Sequence, residues 1–187
     1  MNYLIGDIGN TLIKVTVLNH RFNIKKSFNL STKKIYEKKE INKFFKRFLN
    51  KKLCIKVLFS SVVPKAYKEI KIYLKKNNFK LFEIKDLKIK KILKTKIKKF
   101  NQLGSDRIAN AVGSKNFKNC IVIDFGTATT FDILKDSVYD GGVIAPGVEL
   151  SIKNLNRFTA LLPLLSLKNK QKNYGKNTKE ALNAGFL

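Results

Sequence analysis

The chain has 187 residues, 44% of them hydrophobic, and a formal net charge of +26. This suits one large domain or two small ones with a real core, and it excludes a disordered chain. No run of about 18 apolar residues occurs, which excludes a spanning helix, and the first residues show no secretory signal.

In chain order, residues 3–9 and 11–18 predict two strands around a Gly9-Asn10 turn, the second half-exposed by its alternation. Arg21–Asn29 predicts a third strand, making an antiparallel meander. A helix is expected over 32–50, capped by Ser31 or Thr32, with an apolar stripe of Ile41, Phe44, Phe45 and Phe48. Leu53–Phe59 predicts a buried strand. Pro64 suits the first turn of a helix running to about Lys76. Phe79–Ile84 is a short strand, and residues 85–100 read as a variable, lysine-rich connection. A helix follows from near Gly104 to about Lys115. Ile121–Phe125 predicts a buried strand, and Thr129–Leu134 and Val138–Ile144 predict two more. A helix over 147–162 is stopped by Pro163, and Thr178–Leu187 begins another.

The strong positive charge invites a nucleic-acid reading. Arginine, the preferred fork for phosphates and base edges, occurs only at 21, 47, 107 and 157. The lysines are scattered over nearly every segment, as on a solvated surface, and predict no specific nucleic-acid partner and no membrane. Cys54 and Cys120 lie in apolar strand-like runs and fit no metal-ligand spacing. They read as buried thiols of a cytoplasmic protein.

The scarce acids are more informative. Ile5-Gly-Asp-Ile-Gly-Asn-Thr11 returns as Val122-Ile-Asp-Phe-Gly-Thr-Ala-Thr129. Each is an apolar strand, an Asp-x-Gly, then small polar residues turning into a second strand. Two such hairpins facing each other would make a phosphate clamp. Gly6 and Gly9 permit close backbone approach, Asn10 and Thr11 add donors, and Lys14 reaches a phosphate. Asp7 would repel a bare phosphate, so it requires an intervening cation such as Mg²⁺. In the second hairpin, Asp124, Gly126, Thr127, Thr129 and Thr130 offer oxygens to phosphate or to a monovalent cation. A plain turn and a threonine-rich strand are the simpler alternatives, but they leave the repeat unexplained. In Gly104-Ser-Asp-Arg-Ile-Ala-Asn110, Asp106 is either a helix cap or a general base, and Arg107 either structural or a clamp for a substrate anion. Asp140-Gly-Gly-Val-Ile-Ala-Pro-Gly147 is architectural or ligand-facing.

Taken in order, GDIGNT (6–11), GSDRIAN (104–110), DFGTATTFD (124–132), GGVIAPG (141–147), LNRFTALLP (155–163) and GKNTKEALNAG (175–185) resemble the type III pantothenate kinase family, within the acetate and sugar kinase, Hsp70 and actin superfamily. The resemblance implies an α/β fold of two ribonuclease-H-like (actin-like ATPase) halves with mixed sheets flanked by helices. The halves are expected at 1–115 and 116–187, the second incomplete. It implies a homodimer, ATP, Mg²⁺ and a monovalent cation (K⁺ or NH₄⁺), and phosphorylation of pantothenate to 4′-phosphopantothenate, the first step toward coenzyme A. Residue by residue, Asp7, Ile8, Gly9, Asn10, Thr11, Leu12, Ile13 and Lys14 resemble the ATP phosphate-binding stretch, with Asp7 acting through Mg²⁺. Gly104, Ser105, Asp106 and Arg107 resemble the pantothenate-binding turn, with Asp106 the proton acceptor. Asp124 resembles the monovalent-cation ligand, Thr127 a nucleotide contact, and Thr178 a pantothenate contact.

Two departures stand out. Ile97 and Phe100 fall where the family usually carries Tyr and Pro, and the family usually continues several tens of residues past position 187. The alternative is therefore a shortened, inactive homologue with a binding or regulatory role. A basic nucleic-acid binder and a different small-molecule kinase on the same fold complete the set.

Overall fold

Strand β1 (Asn2–Ile8) buries Leu4 and Ile8 on one face and presents Ile5 and Asp7 on the other, as a period of two requires. Strand β2 (Leu12–Leu18) does the same with Ile13, Val15 and Val17. The computed structural model describes residues 2–49, 55–167 and 173–186. Their elements are mixed α/β. The chain divides into two compact units: Met1–Cys120 with Asp132–Gly141, and Ile121–Phe131 with Gly142–Leu187.

In the first unit, β3 (Ile24–Ser31), β4 (Ile55–Ser61) and β5 (Leu81–Glu83) complete a five-stranded sheet in the order β3-β2-β1-β4-β5. The first three strands form an antiparallel meander, and β4 and β5 join in parallel beyond β1. Helices α1 (Lys38–Lys46) and α2 (Pro64–Lys76) bury their stripes in one core with the sheet. Of the expected stripe, Ile41, Phe44 and Phe45 lie on α1 and Phe48 just past its end, and all four are buried. Helix α2 adds Ala66, Ile70 and Leu74, spaced four residues apart on one face. Gly6 belongs to the core face of β1, where the ring of Phe59 occupies its side-chain space. A Cβ at Gly6 would lie 2.5 Å from the nearest ring carbon.

A second core of this unit gathers Ile84, Ile89, Leu93, Leu103, Ile108, Ala111, Leu134 and Tyr139 around α3 (Ser105–Gly113). The connection over 85–100 is ordered by this core. Ile89 and Leu93 are buried in it, and Ile97 and Phe100 pack against it. Tyr139 staples it further: its N–H donates to Lys94 O, and Lys96 N–H donates to Tyr139 O. Lys96 Nζ adds an ion pair to Asp140 at 2.7 Å.

Strands β6 (Cys120–Phe125), β7 (Ala128–Lys135) and β8 (Val138–Pro146) form a three-stranded sheet in the order β6-β7-β8. The β7–β8 turn places Asp136 and Ser137 at positive φ, the primed-turn geometry of short hairpins. The second unit adds α4 (Val148–Phe158) and α5 (Thr178–Phe186). No described helix is long and apolar enough to cross a membrane.

Several expectations need correction. The third strand begins at Ile24 rather than Arg21, because the Asn19 side chain accepts from Arg21 N–H and Asn23 N–H and holds a turn there. The helix expected over 32–50 is a 3₁₀ turn, Thr32–Tyr36, followed by the shorter α1. Neither Ser31 nor Thr32 caps it: Ser31 makes no side-chain cap, and the Thr32 hydroxyl is used elsewhere. Strand β5 is shorter than 79–84 because the chain turns into a 3₁₀ turn at Ile84. Ile121–Phe125 is a strand but not a buried one; Phe125 is 73% exposed. Helix α4 stops at Phe158, where Thr159 turns extended and its hydroxyl satisfies Leu155 O. Cys120 is half-buried with a free thiol, and Cys54 lies outside the described residues.

Candidate active site

The first hairpin is tied at its tip. Gly9 N–H donates to Leu12 O at 3.0 Å, closing the turn. Thr32 is buried below it: its hydroxyl donates to Gly9 O at 2.7 Å and its N–H to Thr11 O at 3.0 Å. Two hydrogen bonds from one residue thus hold the Gly9–Thr11 backbone from beneath. Asp7 pairs in register with Lys14 across the antiparallel ladder and with Ser60 across the parallel one. Residues opposite one another on paired strands share a sheet face. Asp7 and Lys14 are both exposed, while the Ser60 hydroxyl is buried with no hydrogen-bond partner among the described residues. A carboxylate, an ammonium and a hydroxyl therefore lie in one row beside an exposed Asn10-Thr11 tip. Ile8 and Ile13, included in the stretch by resemblance, point their side chains into the core, so only their backbone is available to a ligand.

The Gly104–Arg107 turn is held from two directions. Ser105 is fully buried, and its hydroxyl donates to the Glu83 carboxylate at the end of β5. Glu83 also accepts from Lys85 N–H at 3.1 Å, so the end of β5 and the start of α3 share one carboxylate. Asp106 Oδ1 accepts from Arg107 N–H at 2.8 Å. It lies where a Cβ on Gly104 would collide, so glycine there makes room for the carboxylate. Arg107 Nε donates to Asp132 Oδ1 at 2.7 Å. Asp132, fully buried, also accepts from Tyr139 Oη at 2.7 Å and from Asn110 Nδ2 at 3.1 Å. Burial, and then the bond to Asp132, push the Tyr139 hydroxyl well above its ordinary pKa, keeping it a donor.

In the second unit, the second hairpin is closed by the corresponding glycine over one residue fewer: Gly126 N–H donates to Ala128 O at 3.0 Å. In both hairpins the glycine two residues after the aspartate makes this bond. Gly147 N–H donates to Thr127 O at 3.1 Å, which ties the Gly-Gly-Val-Ile-Ala-Pro-Gly segment to this turn. Asp124 and Thr127 are exposed. Thr178 begins α5 just after Asn177, whose side chain accepts from Glu180 N–H at 3.0 Å. With Leu155, Leu162, Ala181 and Leu182 it lines an apolar cavity of about 330 Å³.

The donor sets fit hydrated or partly protein-bound cations. Among the described residues no three or more His, Cys, Asp or Glu side chains gather at a point. Asp7 and Asp124 each offer one exposed carboxylate. That suits a divalent ion held chiefly by nucleotide oxygens and water, and a monovalent ion held by one carboxylate and neighbouring oxygens.

A family model described as type III pantothenate kinase matches residues 3–187. The chain belongs to that family. It is 43% identical over 186 residues to the type III pantothenate kinase of Pelagibacter ubique, covering 98% of this chain and 75% of that protein. It is 32% identical over 188 residues to that of Thermosipho melanesiensis, covering 98% and 74%. A solved Baf family protein from Campylobacter jejuni is 26% identical with a TM-score of 0.58, covering 97% of this chain and 72% of that one. The chain thus spans about three quarters of the length of these type III pantothenate kinases.

Within this pantothenate kinase, sequence reasoning missed Ser60 and Glu83 as members of the candidate site; it marked Asp132 as one of the scarce, placed acids but not as the partner of Arg107. Asp132 ends the DFGTATTFD motif and carried the one available signal: an acid on an otherwise apolar, threonine-rich strand. Ser60 and Glu83 had none, since each becomes relevant only through strand pairing or a contact 22 residues away.

Proposed function

We propose that the chain transfers the γ-phosphoryl group of ATP to the terminal hydroxyl of pantothenate, giving ADP and 4′-phosphopantothenate, with Asp106 as general base. The bond from the γ-phosphorus to the bridging oxygen breaks and that oxygen leaves on ADP. The bond from phosphorus to the pantothenate oxygen forms, and the hydroxyl proton passes to Asp106. An alcohol holds its proton far more tightly than a carboxylic acid does. Asp106 therefore orients the hydroxyl and accepts the proton as the phosphoryl group moves, and most of the acceleration comes from positioning and charge stabilisation.

The observation that carries the proposal is the Gly104–Arg107 turn. Glu83 fixes Ser105, Asp132 fixes Arg107, and Asp106 lies between them over a glycine. In this reading Gly104, Arg107 and Thr178 bind pantothenate, while Ser105, expected as a contact, is fully buried and bonded to Glu83 and instead holds the turn from behind. Asp7 to Lys14 take the ATP phosphates, Ile8 and Ile13 through backbone only. Thr127 contacts the nucleotide, Asp124 holds K⁺ or NH₄⁺, and Asp7 faces Mg²⁺ through water. When bound, these cations neutralise phosphate charge. The chain acts as a homodimer in the cytoplasm and engages no specific nucleic acid. The two halves of the proposed architecture are residues 1–115 and 116–187. The inactive-homologue reading is not favoured, because the match to kinases runs through 98% of the chain.

The test is ADP release with ATP, Mg²⁺ and K⁺, with and without pantothenate, for wild type and Asp106→Asn. Pantothenate-dependent turnover that falls by about 10²–10⁴-fold in the variant is expected. Turnover unaffected by Asp106→Asn would remove the base from the mechanism.

A further inference from the structure

We infer that Asp132 is a positioning residue for the substrate: it turns the Arg107 guanidinium so that one edge is left for a substrate oxygen. This rests on the reading of Arg107 as a substrate clamp and goes beyond it.

The usual carboxylate–arginine contact is a two-point fork. Here it is deliberately incomplete. Asp132 Oδ1 takes Arg107 Nε at 2.7 Å, and the same oxygen takes the Tyr139 hydroxyl at 2.7 Å. Asn110 Nδ2 holds the other oxygen, Oδ2, at 3.1 Å. Tyr139 and Asn110 thus fix the carboxylate in an orientation where only Oδ1 meets the guanidinium. Arg107 Nη2 is left buried, with no hydrogen-bond partner among the described residues.

A buried donor without an acceptor is costly, and native structures rarely keep one without a reason. Asn110 Nδ2 occupies Oδ2, the oxygen that would complete the fork. The arrangement instead reserves Nη2 for an oxygen that arrives with the ligand. The four residues come from three elements: Arg107 and Asn110 lie one helical turn apart on α3, and Asp132 and Tyr139 lie on the paired strands β7 and β8. The cluster therefore holds the Arg107–Asp132 contact before substrate binds, and the substrate oxygen reaches Nη2 as the groups covering that edge of the partly exposed Arg107 side chain move aside.

The experiment measures KM for pantothenate and for ATP in Asp132→Asn, Tyr139→Phe, Arg107→Ala and the double variant Asp132→Asn/Arg107→Ala. Asp132→Asn keeps the shape and removes the charge; it is expected to raise the pantothenate KM at least about tenfold and leave the ATP KM within about twofold. Tyr139→Phe keeps the ion pair and loosens the carboxylate. It is expected to raise the pantothenate KM a few-fold, and it carries the test if Asp132→Asn does not fold. The double variant should be no worse than Arg107→Ala alone, because both changes act through one guanidinium. A structural role alone would move both KM values together or lower only the melting temperature, and would overturn the inference. So would wild-type pantothenate KM in a folded Asp132→Asn or in Tyr139→Phe, or additive losses in the double variant. Wild-type protein without pantothenate turnover would refute the functional reading itself, and the wild-type arm, read first, tells the two failures apart.

Discussion

Gly6→Ala tests whether the first glycine of GDIGNT is there for packing. A Cβ at this position would stand 2.5 Å from Phe59 Cζ and 2.6 Å from Cε1 and Cε2. Ordinary carbon contacts need roughly 3.5–4.0 Å, so the ring must retreat by about 1 Å. Phe59 is fully buried, among the Leu4, Ile8, Val57 and Ile70 cluster, and has no solvent side to move toward. Overpacking of this kind costs about 1–3 kcal/mol, and the stiffer unfolded chain of Ala returns about 0.4–1 kcal/mol. The net loss is about 1–2 kcal/mol. With a urea slope of about 2 kcal/mol/M, the unfolding midpoint should fall by about 0.5–1 M. The assay is urea unfolding of wild type, Gly6→Ala, Phe59→Leu and the double variant. Phe59→Leu removes the ring that meets the new methyl, so the double variant should be more stable than the two single losses summed. A Gly6→Ala protein as stable as wild type, or strictly additive losses, would refute the packing explanation.

Gly104→Ala should push the Asp106 carboxylate aside without altering its chemistry. A fall in kcat of about 10–100-fold is expected with the unfolding midpoint little changed, and a wild-type kcat would show that the carboxylate position does not matter. The Lys96–Asp140 pair, which helps staple the 85–100 connection to β8, gives a pH dependence. The hydrogen bond from Lys96 holds the Asp140 carboxyl below its ordinary value of 3.8. The same bond holds Lys96 above its ordinary 10.5. The depressed carboxyl contributes stability above the usual carboxylate range and loses it as pH falls through the lowered value. The raised lysine keeps its share below its usual value and loses it as pH rises through the higher one. Lys96→Met should therefore melt below wild type at about pH 6, with the difference narrowing as pH falls below the usual carboxylate range, as followed by thermal unfolding. A melting difference of constant size across that range would exclude the pair as its source.

The elements that were readable from the chain are those whose cause is local. The β1–β2 hairpin follows from a two-residue alternation broken by Gly9-Asn10, and α1 and α2 follow from apolar stripes and, for α2, from Pro64 at its start. The Asp-x-Gly repeat also speaks locally, since in both hairpins the same glycine N–H closes the turn. The GSDR turn could be located for the same reason. What holds it could not, because Glu83 reaches Ser105 across 22 residues and Asp132 reaches Arg107 across 25. The neighbours of Ser31 and Thr32 in sequence predict a helix cap at one of them. Folding instead sets the Thr32 hydroxyl under Gly9, where the tip carbonyl is the acceptor. The glycine at position 6 suggests room for a ligand, but the Phe59 ring fills that space. Composition and pattern determined which segments are strands and helices, and the order of the motifs placed the chain among the pantothenate kinases. The partners of Ser105, Arg107, Thr32 and Gly6 were decided only by tertiary structure, because strand register and core packing, not sequence neighbourhood, bring those atoms within hydrogen-bonding or van der Waals reach.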